Sequence, residues 1–202
     1  MHALIVTLMT DPVRALNSSF LKTQLEGWGF HVTQIEAVDY QTTRFREIPL
    51  SQDTHLTAGE IACAYSHRLA YQKMIELGKD CLILEDDAYF ESWISHKDFE
   101  HVEHVKLLCN LNDQFEAGNK SIYELVQERE RDHITKGLPW GTQGYYATVE
   151  GAKILLEHSN PIVKSSDHLL HHLSWEGHLK TLLSKTQIVR QNPVIGSFIG
   201  TR

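Results

Sequence analysis

Three consecutive carboxylates, Glu85-Asp86-Asp87, follow the apolar run Cys81 to Leu84, which is typical of a buried strand. Open α/β sheets bind their ligands where strands end, so the triplet lies where a substrate is expected. Carboxylate oxygens suit Mg²⁺ or Mn²⁺, which often bridge one or two carboxylates to substrate phosphates. The triplet therefore predicts a divalent-cation site that neutralises a departing diphosphate. Taken alone, such a triplet is more often a solvated acidic turn.

An arginine follows the first predicted strand. The segment Asp11 to Arg14 comes after the apolar run Ala3 to Leu8 and opens a stretch with helical character. At this position Arg14 can face a nucleotide, while the backbone N–H groups of the helix N-terminus attract anionic oxygens. The alternative is a proline-initiated helix with a surface arginine.

A histidine lies on the helix predicted before the acidic strand. Thr57 and Glu60 have capping-box spacing, and Gly78 suits the left-handed C-terminal position, so a helix is expected from Thr57 to Leu77. Two helical turns separate Glu60 from His67, which places both on one face. His67 is expected to orient a carboxylate or touch substrate. The alternative is a hydrogen-bonded core histidine.

A stretch rich in glycine and aromatic residues, Trp140 to Tyr146, lies at a predicted loop-to-strand junction. Glycine permits close approach of the backbone to a ligand, and aromatic faces can take a sugar ring. The stretch is therefore a candidate sugar contact. The alternative is a glycine-rich turn that enters a core strand.

The densest run of ligand-type residues comes late in a chain that has 13 histidines. It consists of Asp167, His168, His171, His172 and His178. One of these histidines could complete a metal shell, and Asp167 could act as a general base. The spacing lacks the H-E-x-x-H pattern, which disfavours a structural zinc site and leaves a partly exposed polar helix as the alternative.

The elements that must position these residues alternate between strands and helices. A first strand-helix-strand unit spans 3 to 38, and further strands are expected at 81–84, 105–109 and 143–149. Helices are expected at 57–77, 150–158 and 166–175, with a surface helix at 121–132. This alternation predicts an α/β sandwich around a mainly parallel sheet flanked by helices. A length of 202 residues without a linker or repeat fits a single domain over 1–202.

Composition excludes several classes of function. Nineteen basic and 26 acidic residues give a net charge of −7, which disfavours nucleic-acid binding and a polybasic membrane anchor. The three cysteines lack C-x-x-C spacing and lie in apolar runs, which fits a reducing compartment. The N-terminus carries no signal-peptide pattern and no transmembrane run, so a cytoplasmic protein is expected.

The segments above together resemble glycosyltransferase family 25, the bacterial lipooligosaccharide galactosyltransferases and their collagen-modifying relatives. The family pattern joins a strand with a following arginine to a G-E-I-x-C-x-x-S-H helix, an L-I-L-E-D-D-A strand end and a G-T-x-x-Y segment. This chain has Arg14, then Gly59 to His67, Leu82 to Ala88 and Gly141 to Tyr145, in the same order. The segment 150–156 is similar to the family's next helix and Asp167 to a later acidic position, so the likeness covers residues 3 to 170.

The resemblance implies a GT-A-type nucleotide-sugar-binding fold and an inverting transfer of a hexose, galactose from UDP-galactose, to a saccharide acceptor. It implies Mn²⁺ or Mg²⁺ as cofactor and an acceptor in lipooligosaccharide or another surface glycan. A lipid-linked acceptor would bring the protein into peripheral contact with the inner face of a bacterial membrane. The implied site residues are Asp87 and Asp86 at the metal, Arg14, Glu85, Asp86, Gly141, Thr142 and Tyr145 at the donor, Asp167 as the base and His67 beside it.

The chain departs from the family pattern at several positions. Thr7 stands where the family often has asparagine, and Ala62 stands where it often has glycine. Ser165-Ser166 stand where the family often has a proline shortly before the later aspartate. The alternatives are therefore the same architecture with another UDP-sugar, or a catalytically silent relative that binds a glycan or a partner. A histidine-rich metal-binding protein is a further, less favoured interpretation.

Overall fold

A computed structural model describes residues 1–42, 48–50, 55–109, 141–184 and 187–196 of the chain. Within these ranges, strands and helices alternate as predicted from His2 to Glu85, whereas later strands, and later helices, follow one another directly. The strands are β1 (His2–Thr7), β2 (His31–Glu36), β3 (Cys81–Glu85), β4 (Ala88–Phe90), β5 (Val105–Leu107), β6 (Gly144–Ala147), β7 (Thr181–Leu183) and β8 (Val189–Gln191). The helices are α1 (Pro12–Gly27), α2 (Ala58–Leu77), α3 (Val149–His158) and α4 (Ser166–Trp175), with a 3₁₀ turn at His96–Phe99.

Six strands form one sheet in the order β2-β1-β3-β6-β5-β7. All run in the same direction except β6, which is antiparallel to both of its neighbours, β3 and β5. Strands β4 and β8 pair antiparallel in a separate two-stranded ribbon. The predicted α/β sandwich with a mainly parallel sheet is therefore confirmed.

The two faces of the sheet pack against different helices because side chains alternate along each strand. Leu4 and Ile83 point to the face that α2, α3 and α4 cover, where they join Tyr71 and Met74 of α2. The opposite face carries Ala3, Ile5, Leu82 and Leu84 and packs against α1 and the β4-β8 ribbon. The central strands β1, β3 and β6 therefore have both faces buried, which explains why Cys81 to Leu84 is a continuous apolar run.

Helix α2 begins and ends where its capping residues predict. Thr57 accepts a hydrogen bond from the backbone of Glu60, whose side chain in turn accepts from the backbone of Thr57. At the other end Gly78 has φ 60°, in the left-handed region that favours glycine. The capping box assigns the Glu60 carboxylate to the start of the helix, while His67, two turns later, faces the sheet.

Other boundaries differ from the sequence expectation by a few residues. The strands expected at 105–109 and 143–149 are shorter, at Val105–Leu107 and Gly144–Ala147, and the unassigned region after 179 supplies β7 and β8. The surface helix predicted at 121–132 lies outside the described residues, and the single-domain assignment, which includes such residues, stays a prediction. Among the described helices, none has the length and apolarity needed to cross a membrane.

Candidate active site

The acidic triplet lies at the edge of the sheet where the parallel strands end. Glu85 is the last residue of β3, and Leu8 and Ala37 follow β1 and β2 at the same edge. The first turn of α1 brings Arg14 to this edge, and α2 brings His67. These side chains and the triplet line one pocket.

Asp86 is fully engaged by protein groups. Its Oδ1 accepts from Arg14 Nη1 at 2.5 Å, and its Oδ2 accepts from the backbone N–H of Leu8 at 2.7 Å. Burial raises the pKa of Asp86, while the Leu8 N–H and the Arg14 guanidinium oppose that shift. The second nitrogen of Arg14, Nη2, donates to the Gly196 carbonyl at 2.8 Å. Arg14 and Asp86 thus form a buried ion pair tied to the C-terminal part of the described chain.

Asp87 has one oxygen free. Gln191 Nε2 donates to Asp87 Oδ2 at 2.9 Å, whereas Oδ1 is buried and has no hydrogen-bond partner among the described residues. Burial, followed by the charge of Glu85, raises the pKa of Asp87 to about 7. Among the described residues, three carboxylates face one guanidinium here, so that full ionisation of these groups would leave excess negative charge. A divalent cation would remove that excess, and Asp87 Oδ1 is the hard oxygen ligand that it would need.

Glu85 is held from two sides. Its Oε1 accepts from Thr142 Oγ1 at 2.5 Å and lies 3.1 Å from His67 Nε2. The other ring nitrogen of His67, Nδ1, lies 2.8 Å from the Tyr145 hydroxyl. That hydroxyl donates to the Tyr71 hydroxyl at 3.0 Å. Because the one hydroxyl hydrogen of Tyr145 is directed to Tyr71, Nδ1 of His67 must be the donor to Tyr145.

The first turn of α4 closes the site from the helical side of the sheet. Ser166 Oγ lies 3.0 Å from Thr142 Oγ1 and 3.5 Å from Cys63 Sγ. Next to it, the half-buried Asp167 accepts at Oδ1 from Ser165 Oγ at 2.6 Å. The structure therefore brings the predicted base to the same helix turn that contacts the Glu85 network.

Gly141 and Tyr145, both from the glycine-rich stretch, lie in different surroundings: Gly141 in the backbone before β6 and Tyr145 in the core. Gly141 has φ 113°, in the region that favours glycine, and its carbonyl accepts from Cys109 Sγ at 3.2 Å. Tyr145 is 0% exposed and stacks against His67 with ring centroids 5.7 Å apart. In this geometry Tyr145 influences the site through His67, and its ring has no exposed face for a sugar.

Comparison with known proteins decides the family. The model of glycosyltransferase family 25, described as an LPS biosynthesis protein family, matches residues 20–170, about three quarters of the chain. The chain belongs to glycosyltransferase family 25. The matched range includes α2, the acidic triplet, Thr142 and Asp167, so these site residues lie within the family's shared region.

Two mosquito proteins are similar to half of this family 25 chain. A glycosyltransferase 25 family member of Aedes aegypti is 28% identical over 106 residues, which are 50% of this chain and 17% of the relative. The one of Anopheles gambiae is 32% identical over 108 residues, 50% of this chain and 18% of the relative. The chain thus matches less than a fifth of these relatives' length.

Among solved structures, the apo form of mouse xyloside xylosyltransferase 1 is similar at 11% identity and a TM-score of 0.42. The similarity covers 89% of this chain and 76% of that one.

A second set of metal-ligand types in the family 25 chain is Cys63, His67 and Glu85. Their ligand atoms lie within 4.8 Å of one another. Burial, and then the charge of Glu85, raises the pKa of Cys63 well above its usual value, which opposes the thiolate that soft metals require. We therefore interpret this cluster as part of the hydrogen-bond network. The late histidines lie elsewhere, with His172 and His178 at 3.3 and 3.8 Å from the exposed Glu176.

Sequence reasoning missed three residues of the site. Gln191 lies beyond the family resemblance, in a region with no recognisable motif, and only the pairing of β4 with β8 places it against Asp87. Asn17 donates from Nδ2 to the Asp86 carbonyl at 2.7 Å, and its position one turn after Arg14 could have indicated it. Ser166 was visible only as a departure from the family pattern.

Proposed function

We propose that this chain is the catalytic region of a metal-dependent glycosyltransferase that moves a hexose from a UDP-sugar to a saccharide acceptor. Galactose is the first candidate for the hexose, because the sequence resembles the galactosyltransferases of the family. The observation that carries the proposal is the buried Asp87 oxygen that has no partner among the described residues, in a carboxylate cluster to which the described part of the chain brings one guanidinium. Such a cluster suits a divalent ion and the diphosphate that the ion would bind.

Asp87 is the proposed ligand of Mn²⁺ or Mg²⁺. When bound, the ion would supply positive charge to the diphosphate as it leaves. Asp86, expected as a second ligand, has both oxygens occupied by Arg14 and Leu8, so we assign it to the orientation of Arg14. Arg14 then directs its charge to the pocket edge, 3.9 Å from Asp87 Oδ2, where a diphosphate oxygen could pair with it.

The remaining residues position the donor and remove a proton. Thr142 and His67 hold Glu85 in one orientation, from which its second oxygen can accept from a donor hydroxyl. Asp167 is the proposed base, since its described hydrogen bonds both go to Oδ1 and leave Oδ2 to accept. The acceptor hydroxyl gives its proton to Asp167, its oxygen bonds to the anomeric carbon, and the bond from that carbon to the diphosphate breaks. Attack opposite the leaving group inverts the anomeric centre.

The acceptor is proposed as a saccharide of a surface glycan such as lipooligosaccharide. If this acceptor is lipid-linked, the protein meets it at the cytoplasmic face of the membrane. The net charge of −7 would repel anionic headgroups, so contact with the acceptor itself is the proposed means of docking.

A catalytically silent relative is the second candidate. The observation that favours it is the engagement of Arg14, whose charge is already paired with Asp86 and whose Nη2 donates to Gly196, so that less of its charge is left for a diphosphate. This alternative predicts glycan or partner binding without ion-dependent binding of UDP. The same architecture with a different UDP-sugar predicts ion-dependent UDP binding but transfer from another donor.

Calorimetric titration with UDP, with and without Mn²⁺, tests the proposal without knowledge of the acceptor. We expect saturable binding that requires the ion in the wild type and in Glu76→Gln, a matched exposed carboxylate on α2. Asp87→Ala should lose this binding and turnover while it keeps its fold by circular dichroism. Absence of UDP binding in the wild type under both conditions would favour the silent relative, and near-normal activity of Asp87→Ala would reject the metal site.

A further inference from the structure

A second concave site lies far from the acidic triplet. Aromatic side chains from separate segments line it: Trp28 at the end of α1, Phe30 before β2 and Trp93 after β4. The groove has a volume of about 460 Å³, within the range of ligand sites. Gly29, between Trp28 and Phe30, has φ 84° and borders open space, since no atom lies within 4 Å of the position that a Cβ would take.

The groove and the acidic triplet are at opposite ends of the same two elements. Helix α1 carries Arg14 in its first turn and ends at Trp28, and its 16 residues span about 24 Å. Strand β4 starts directly after Asp87, and the chain reaches Trp93 three residues after β4 ends. The groove is thus a separate site rather than an extension of the pocket.

The Trp28 ring and the backbone beside Trp93 are held in place before any ligand arrives. Trp28 packs edge-on against Phe90 with ring centroids 4.9 Å apart. Trp93 is 64% exposed, yet the next residue, Ile94, is fully buried and anchors the loop. A large exposed indole on a fixed backbone costs little conformational entropy when a ligand packs on it.

From this arrangement we infer that the groove binds a pyranose residue of a glycan. The C–H groups on one face of a pyranose ring carry partial positive charge and pack on the negative face of an indole. Exposed His96 and Lys97 stand at the rim, where they can donate to sugar hydroxyls or to an acidic substituent. Neither side chain has a hydrogen bond or ion pair with another described residue. The choice of a glycan rests on the proposed function, whereas the site itself rests on the groove.

The test is binding to a printed array of neutral and uronic-acid oligosaccharides, followed by titration of each retained glycan with tryptophan fluorescence. We expect Trp93→Ala to weaken binding about tenfold, because it removes the exposed stacking surface. Phe20→Ala is the matched control, since Phe20 is a similarly exposed aromatic residue on α1 outside the groove, and it should leave affinity unchanged. Lys97→Ala should weaken binding of the acidic glycans alone.

Two results would overturn the inference: retention of no glycan by the wild type at millimolar concentration, or equal affinities for Trp93→Ala and Phe20→Ala. Titration of the same proteins with UDP and Mn²⁺ separates this inference from the proposed function. Glycan binding that depends on Trp93 without UDP binding supports the groove and rejects the donor site. UDP binding without glycan binding supports the donor site and rejects the groove as a glycan site.

Discussion

Asp87 combines burial, a neighbouring negative charge and one oxygen without a described partner. With 2% of its surface exposed, Asp87 has a carboxyl whose pKa burial raises to about 7 in the folded protein, from the 3.8 of an aspartate in water. Between these two values the unfolded chain is ionised while the folded chain keeps its proton. The free energy of unfolding therefore falls as pH rises from about 4 to about 7, since the folded state binds more protons in that window.

Asp87→Asn is expected to remove this dependence. The amide cannot ionise, so the variant should gain stability relative to the wild type as pH rises through the window, by up to about 4 kcal/mol at neutral pH. Urea denaturation at several pH values measures the difference, with Glu76→Gln as control. Mn²⁺ should stabilise the wild type more at pH 8 than at pH 5.5, because the ion competes with the proton for the carboxylate. Parallel stability curves for the wild type and Asp87→Asn would contradict the assignment.

Tyr145→Phe tests the buried chain of hydrogen bonds behind Glu85. Loss of the hydroxyl leaves His67 Nδ1 and the Tyr71 hydroxyl without their shared partner, which should cost about 1–3 kcal/mol of unfolding free energy. Chemical denaturation measures this cost. Tyr65→Phe is the control, on the helix that carries His67 and Tyr71, because the Tyr65 hydroxyl has no hydrogen bond within the described ranges. It should change stability by less than about 0.5 kcal/mol. Equal effects of the two changes would show that the Tyr145 hydroxyl contributes little.

At the level of elements, β6 and β8 pack so closely that glycine is required between them. A Cβ on Gly144 would lie 2.8 Å from both Val189 Cγ atoms, although Gly144 has an ordinary negative φ. This explains a glycine within a strand of the core, where glycine otherwise weakens a sheet. The contact also connects the segment that precedes β6 with the strand that carries Gln191.

Gly144→Ala is expected to push Val189 outward and to cost about 1–3 kcal/mol in unfolding free energy. Because Val189 and Gln191 belong to the same short strand, the change should also weaken ion-dependent binding of UDP. Gly27→Ala is the matched control, since a Cβ at Gly27 meets no atom within 4 Å and alanine favours the helix. Thermal denaturation and calorimetry measure both effects. A Gly144→Ala protein as stable as Gly27→Ala would show that β8 can shift away from the added methyl group without loss of unfolding free energy.

Considered as a whole, the molecule builds its site from both ends of the chain. The family model matches residues 20–170, whereas Arg14 comes before this range and Gln191 after it. The backbone N–H of Asn192 also donates to the Asp87 carbonyl at 2.6 Å. The regions outside the matched range thus hold the acidic triplet in place.

Gln191→Leu should lower Mn²⁺ affinity by about tenfold, because the amide that orients Asp87 Oδ2 is lost while the side-chain volume is similar. Gln187→Leu is the control from the same segment, since its amide contacts only the Val189 carbonyl, at 3.4 Å, among the described residues. Titration with Mn²⁺ alone measures affinity, and the melting temperature reports on the fold. The same affinity in both variants would leave Gln191 without a positioning role.

Local signals predicted much of this molecule. The capping box at Thr57 and the glycine at Gly78 located α2, and the apolar run before Glu85 located β3, since each depends on neighbouring residues alone. The reversed direction of β6 and the pairing of Gln191 with Asp87 depend on contacts between distant parts of the chain. A single sequence contains no periodicity that encodes them. For the same reason, the family resemblance predicts Tyr145 at the donor, although its side chain lies in the core.

The reversal of β6 has a consequence for how this enzyme family can diversify. Strand β5 ends, and β6 begins, at the sheet edge that carries the acidic triplet. Both anchors of the connection between Cys109 and Gly141 are therefore at the substrate side. Evolution can lengthen, shorten or exchange that connection without a change in strand order. A chimaera that replaces residues 110–140 with the corresponding stretch of a relative should therefore keep the strand order and the acidic triplet, and its acceptor preference, compared with that of the wild type, would test the connection for a role in acceptor choice.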